Sequence, residues 1–428
     1  MASRLLRLAP DLELMRKSAV VLVGFSAARL LGFLFAVAAA RVLSPADFGR
    51  MTYALAIAAL ASVLISAAPC GLSRYLARHG EERAVQEDYL ANWLTVVGLL
   101  LAGSMLVALP IAAVLGLGTW IVAGIAANLV GVTVIESYKE VQRGLDRFTS
   151  MAVCYALANL IQLVAVLGAA AAGWRSPALF VTIYGLSDLA ACGILQWLAP
   201  IRLRFPWADL TRRRMIEVLR FIRPLLLQSV FFATWLSADL VLVQHMLNAT
   251  ATGNYGAAKT LANAVWLPPA AIGTVLLPRV ARLPAAELRR YLARVFGLAA
   301  LVTVPAAVAI AAFAQPLTEL TFGYRYPAAA APLGLLGLGM ALHGLYMVPF
   351  SLWVGLGRPT VDMISTGVGM VVTVISAAAL IPLMGLTGAA AGFCLGSAAR
   401  LIAIGGFSIW TLYLRPAPAA SFAPQVAP

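Results

Sequence analysis

The chain's fold is most constrained by apolar runs of about 18–28 residues that recur twelve times along it. An α-helix rises 1.5 Å per residue, so each run is long enough to cross a hydrocarbon layer about 30 Å thick. The runs fall at 18–40, 51–72, 90–115, 119–138, 151–172, 177–199, 222–247, 255–278, 292–314, 328–355, 360–381 and 386–412. Turn formers or charges separate them: Ser44-Pro45, Arg74 to Asp88, Gly116-Leu117-Gly118, Lys139 to Arg147, and Trp174-Arg175-Ser176-Pro177. A soluble domain carries about 25% charged residues. Here 11% are charged and 62% are hydrophobic, so most of the surface has to face lipid. The expected fold class is all-α integral membrane, with about twelve transmembrane helices.

A net charge of +14 invites a nucleic-acid reading, which the placement of the charges excludes. With the N-terminus in the cytoplasm and the runs alternating in direction, twenty-four of the 31 basic residues fall on the cytoplasmic side and four on the outer side. The remaining three lie inside runs: Arg29, Lys259 and Arg400. This bias supports both the helix count and a topology with both termini cytoplasmic. The first run is too long for the apolar core of a cleaved signal, about 7–15 residues, and is expected to be retained. Cys70, Cys154, Cys192 and Cys394 show no metal-ligand spacing and are expected to pack inside helices. No phosphate-binding loop of the GxxxxGK[ST] type occurs, nor HExxH, nor a DxD pair, and the outer loops are too short for a catalytic domain. No catalytic residue, metal or cofactor is expected.

The chain repeats itself. Leu43-x5-Gly49-x4-Ala54 returns as Leu247-x5-Gly253-x4-Ala258, offset by 204 residues, and Gly144-Leu-Asp-Arg147 returns as Gly355-Leu-Gly-Arg358, offset by 211. Six helices is an even number, so the two halves share one orientation, as in a parallel repeat about an axis normal to the membrane. The expected division is an N-terminal lobe over 1–200, a cytoplasmic amphipathic linker over 201–221, a C-terminal lobe over 222–414, and a disordered cytoplasmic tail over 415–428. In the linker region, Leu210, Met215, Leu219 and Ile222 form one face and Arg212, Arg213, Arg214 and Arg220 the other, a pattern suited to anionic membrane lipid. Pro284 to Arg294 is similar; ordinary positive-inside loops account for both stretches equally well.

Ionisable groups at hydrocarbon depth are costly and mark function. Arg29, Lys259 and Arg400 have no acidic residue at i±3 or i±4 in their own helices. They therefore face a wet cavity, meet an anionic ligand, or pair across helices with Asp188, Asp239 or Asp362. Tyr255, Lys259, Asn263 and Trp266 share one helical stripe, as do Gln228, Trp235 and Asp239, and Tyr155, Asn159 and Gln162. Aromatic and amide stripes suit a sugar or amphiphile path; helix packing through interhelical hydrogen bonds explains the last stripe as well. Asp239 and Asp188, with His343, are candidates for ion coupling, because a buried carboxyl can take up and release a proton. Asp362 lies four residues after Arg358, and an i,i+4 ion pair accounts for it.

Several motifs resemble those of one family. Leu43-Ser-Pro-Ala-Asp-Phe-Gly49 resembles the LGPxxFG turn of polysaccharide biosynthesis flippases, the Wzx-type O-antigen transporters of the multidrug/oligosaccharidyl-lipid/polysaccharide (MOP) exporter superfamily. Ala238-Asp239-Leu-Val-Leu followed by Gly253-Asn-Tyr255-Gly-Ala-Ala258 resembles their xxDxxLL…GxYxxA stretch, and Leu277-Pro278-Arg279 their LxPxL close. Phe322-Gly-Tyr324-Arg-Tyr326, Gly355-Leu-Gly-Arg358 and Pro382-Leu-Met-Gly385-Leu-Thr-Gly388 complete the series over nearly the whole chain. The resemblance implies two six-helix lobes of the MATE/MOP-like kind around a cationic cavity that opens to each side in turn. It implies a bacterial inner-membrane flippase that carries an undecaprenyl-diphosphate-linked oligosaccharide outward, coupled to a proton or sodium ion and in contact with glycan polymerase machinery. Arg29, Lys259 and Arg400 would then attract the diphosphate and sugar. Two other readings compete. A cation-coupled multidrug exporter shares the fold and prefers acidic, aromatic cavities. A membrane glycan polymerase or ligase would need a long outer loop, which the chain lacks.

Overall fold

In a computed structural model, the described residues are 2–79, 82–201, 203, 210–266, 269, 285–356 and 358–411. The tail from 415, the Leu277-Pro278-Arg279 motif, Pro284, Gly357, Arg202, Arg204 and the Cys70 side chain lie outside the described residues. The described elements are α1 Ala2–Val42, α2 Pro45–Ala61, α3 Val63–Ala67, α4 Leu72–Arg78, α5 Arg83–Val114, α6 Thr119–Gly144, α7 Phe148–Ala171 and α8 Pro177–Leu198. They continue as α9 Arg212–Met246, α10 Ala249–Ala262, α11 Ala285–Ala312, α12 Ala314–Phe322, α13 Ala330–Gly355, α14 Pro359–Met384 and α15 Leu386–Ile409. Short 3₁₀ turns add Ala68–Gly71 and Asn263–Trp266. No strand occurs among the described residues. An all-α chain meets the demand of hydrocarbon, since a helix satisfies its own backbone N–H and C=O groups and an open sheet edge does not.

The protein is an all-α, multi-pass membrane protein. Ten of the helices are each long and apolar enough to span, and α2 with the α3–α4 stretch, bent by 51°, supplies an eleventh. The eighth expected run, 255–278, begins in α10 and its remainder lies outside the described residues. The breaks follow from local chemistry. Ser44 Oγ accepts from the Asp47 backbone N–H at 3.1 Å and donates to its carboxylate at 2.7 Å, capping α2, and Pro45 occupies the first turn. Gly116, with φ of 77°, turns α5 into α6. Pro177 opens α8, and Asn248 caps α10 by accepting from the Ala251 N–H at 2.9 Å.

Two expectations are corrected. The segment from Lys139 is not a loop, because α6 runs on to Gly144. Lys139 pairs with Glu136 and Arg143 with Glu140, so charges spaced by one turn support the helix end. The amphipathic segment before 223 does not present the expected face. From Arg212 it is continuous with α9; Val218 and Ile222 are buried, whereas Ile216 and Leu219 are exposed. Its register is set by α5: Arg214 lies 3.1 Å from Asp88 and donates to the Tyr89 hydroxyl at 2.7 Å, and the Thr211 N–H donates to Asn92 Oδ1 at 2.9 Å.

The chain forms two compact units, Met1–Leu43 with Ile57–Ser229, and Ser44–Ala56 with Val230–Pro428. In the first, α1 packs along α7 and α6 along α8. Close approach of α6 and α8 depends on Gly131, where a Cβ would overlap the Gly185 carbonyl. Cys154 and Cys192 are buried there as packing residues. In the second unit α14 packs along α15, α13 along α15, and α11 along α13.

The second unit also contains the start of α2, and there the sequence repeat acquires a physical meaning. A Cβ on Gly49 would overlap the Ala249 carbonyl, and a Cβ on Gly253 would overlap the Pro45 carbonyl. At the repeat offset of 204, Pro45 corresponds to Ala249 and Gly49 to Gly253. The contact is thus reciprocal, like a two-fold interface within one chain. Around it, Tyr53 Oη and His245 Nε2 are 2.9 Å apart, Phe48 packs edge-on to Tyr326, and Asn254 Oδ1 accepts from the Ala328 N–H at 3.1 Å.

Candidate functional site

Most of the residues singled out from the sequence meet in the second unit. Asp239 on α9 is fully buried. Its carboxylate accepts from Lys259 Nζ at 2.6 and 2.7 Å, from the Tyr255 hydroxyl at 2.6 Å, and from the Leu240 N–H at 2.8 Å. Lys259 also donates to the Leu236 carbonyl at 2.6 Å. The four-residue spacing of Tyr255 and Lys259 brings both to one carboxylate from a single face of α10.

Arg400 on α15 is 2% exposed. Its guanidinium lies 3.8 Å from Asp362, donates to Thr366 Oγ1 at 3.1 Å, and reaches His343 Nδ1 at 3.3 Å. Arginine only donates, so Nδ1 of His343 is the acceptor in that contact. Tyr346 donates to Asp362 and shares Thr366 at 3.2 Å. The two charged centres are joined by rings. Lys259 Nζ lies 4.9 Å from the Phe393 ring centre, Phe393 stacks on Trp235 at 5.1 Å, Trp235 faces Arg400 at 4.7 Å, and Arg400 covers Tyr346 at 3.7 Å. Aromatic faces attract such cations without using up their N–H donors. Trp266, half-buried, and Trp235 both pack against His343.

For Lys259 and Arg400 the cross-helix pair is therefore the arrangement present, and neither lies uncompensated in an open cavity. Asp362, which suited either Arg358 or a cross-helix cation, is fully buried and engaged by Tyr346 and Arg400. Asn263 departs from the Lys259 stripe: α10 ends at Ala262, the chain tightens into a 3₁₀ turn, and the side chain is exposed. Gln228 is half-buried and falls in the first unit, whereas Trp235 and Asp239, farther along α9, belong to the second.

The first unit gathers the remaining candidates. Arg29 is exposed on α1, within electrostatic reach of Tyr155 on α7. Tyr155 donates to Glu136 at 2.5 Å, and Glu136 pairs with Lys139. Asp188 is 6% exposed and lies within electrostatic reach of Glu136 and Tyr184. Gln162 donates to the Tyr184 carbonyl at 3.3 Å, an interhelical packing bond. Glu136, Tyr346, Thr366 and Phe393 went unremarked in the sequence. Each carried a signal: Glu136 precedes Lys139 by three residues, Tyr346 follows His343 by three, Thr366 follows Asp362 by four, and Phe393 precedes Arg400 by seven.

Among known proteins, the family described as polysaccharide biosynthesis protein matches residues 38–331. No curated protein sequence matches the chain. Solved structures share its fold. A multidrug resistance MATE family transporter of the MOP superfamily, inward-facing, has a TM-score of 0.76 at 16% identity, covering 93% of this chain and 100% of that one. The lipid II flippase MurJ, in an inward closed conformation, has a TM-score of 0.73 at 12% identity, covering 94% and 89%. The outward-facing MATE family transporter has a TM-score of 0.66 at 16% identity, covering 93% and 95%.

Proposed function

Because this chain belongs to the polysaccharide biosynthesis protein family and is a multi-pass membrane protein of the flippase and transporter fold, we propose that it flips a lipid-linked oligosaccharide across the bacterial inner membrane. The cargo on this reading is an undecaprenyl-diphosphate-linked oligosaccharide, moved from the cytoplasmic to the periplasmic leaflet by alternating access. The observation that carries the reading is the pair of buried cations, Lys259 and Arg400, set against a continuous run of aromatic rings in one unit. A diphosphate needs cationic donors, and pyranose rings stack on aromatic faces such as Trp266 and Trp235. Arg29, Tyr255, Asn263 and Gln228 complete the proposed cargo path. Asp239, Asp188 and His343 are the proposed groups for coupling to a proton or sodium ion. The exposed Arg212, Arg213 and Arg220, beside Ile216 and Leu219, suit anionic lipid at the cytoplasmic face. The chain acts as a carrier and not as an enzyme.

Arg29→Ala and Trp266→Ala test this in a strain whose surface glycan depends on the chain. Both residues are at least partly exposed, so their loss leaves protein levels unchanged. Glycan export should fall in both, at least about tenfold for Arg29→Ala, the loss expected when one charge-assisted contact is removed, and the lipid-linked precursor should accumulate. Undiminished export in both variants would remove these residues from the path. The multidrug-exporter reading is favoured by one observation, the carboxylates Asp239 and Asp362 within an aromatic surround. It predicts increased drug sensitivity in a deletion strain with glycan export intact. The topology has its own test: a tag after Pro428 should be shielded from impermeant reagents in intact cells, and labelling there would overturn the helix count.

A further inference from the structure

The two cations of the second unit are each neutralised by one carboxylate, and both carboxylates are fully buried. We propose that an anionic diphosphate binds this unit by counter-ion exchange, taking Lys259 and Arg400 from Asp239 and Asp362 while each released carboxylate takes up one proton. The inference rests on the flippase reading, whose cargo carries such a diphosphate.

Charge balance drives the argument. Two cations and two carboxylates sum to zero. A diphosphate diester brings two negative charges, and uncompensated charge in a low-dielectric interior is strongly disfavoured. A carboxylate that loses its cation in such surroundings is stabilised as the neutral acid. With one proton added from solvent to a carboxylate oxygen of Asp239 and one to Asp362, the site again sums to zero: a dianion, an ammonium, a guanidinium and two neutral acids.

The surroundings suit the exchange. Facing Asp239 are Lys259 and Tyr255 from α10. Facing Asp362 are Tyr346 from α13, Thr366 on the next turn of α14, and Arg400 from α15, with His343 behind Arg400 and Arg358 one turn earlier on α14. His343 Nδ1 accepts from Arg400 in this arrangement, and the proton uptake proposed for the exchange falls on the two carboxylates that lose their cations. Phe393, Trp235 and Tyr346 hold the cations by their faces when the carboxylates let go. The guanidinium fork matches phosphate oxygens. Trp235 Nε1 is a buried donor with no hydrogen-bond partner among the described residues, one more N–H for an anion. Proton and anion are then co-ligands, not competitors.

The test is calorimetric titration of the full chain in detergent, repeated in buffers of different ionisation enthalpy. The lipid probe is the citronellyl diphosphate ester of N-acetylglucosamine, and the soluble probe is P1,P2-dimethyl diphosphate. Both are fully ionised near neutral pH, so any proton taken up goes to the protein. The expected result is uptake of about two protons per lipid probe, with Kd tightening about 100-fold per unit of falling pH where uptake is complete. Asp239→Asn should remove one proton and reduce that slope to about tenfold per unit. Binding without proton uptake by the wild-type protein, a result that depends on no variant, overturns the exchange and leaves the flippase reading intact. No binding of either probe overturns the flippase reading, and the exchange with it. Equal uptake with dimethyl diphosphate but no binding of the lipid ester upholds the exchange and assigns it to a soluble diphosphate.

Discussion

Lys259→Met will destabilise the solubilised protein by about 3–5 kcal/mol, and adding Asp239→Leu will restore most of the loss. The reason is the asymmetry of a buried ion pair. The pair itself adds little over well-packed apolar groups, because the cost of taking two charges out of water offsets their attraction. Removing one partner leaves the other either as an unpaired charge or as a group that must take up a proton, and both are costly. After Lys259 is lost, Asp239 keeps the Tyr255 hydroxyl and the Leu240 N–H but has no cation, and it is fully buried. In the double variant nothing charged remains to be satisfied. Thermal or denaturant unfolding in detergent measures the cycle, and a coupling energy below about 1 kcal/mol would show that the two residues do not act as a pair. Arg29→Ala is the contrast: its side chain is exposed, and its loss should leave unfolding unchanged.

Gly49→Val and Gly253→Val will each cost about 1–3 kcal/mol or more, and by similar amounts. A side chain at either position meets backbone, not a flexible neighbour, so α2 and α10 must separate to admit it. Once separated by one valine, the helices have already made room for the other. The double variant should therefore cost less than the sum of the two, as expected for residues that share one gap. Folded yield and unfolding midpoints of the three variants measure this. Independent, additive effects would mean that the two glycines do not occupy a common crossing.

Much of the fold was legible because the bilayer leaves few options. Run length identified the spans, and Ser44-Pro45, Gly116 and Pro177 placed breaks that the structure keeps. The site was legible one helix at a time. Periodicity shows which residues share a face, and it correctly grouped Tyr255 with Lys259 and Trp235 with Asp239. It cannot show which face of another helix lies opposite. From sequence, Asp362 suited both Arg358 four residues away and a cation on another helix, and only the structure shows that Arg400 of α15 approaches it. Asn263 left the Lys259 stripe for a different reason: a period of 3.6 residues applies only while the helix continues, and α10 stops at Ala262. In the amphipathic segment, Leu219 and Val218 compete for the inner face, and Arg214 held by Asp88 on α5 decides it, an ion pair 126 residues apart in sequence.

The crossing of Gly49 and Gly253 has a genetic consequence. In a pair of identical half-length chains, one codon would guard both sides of such a gap, and any change there would be felt twice. In a single chain two codons guard the same gap separately, so each side can be altered while the other holds, and symmetry becomes something selection has to maintain.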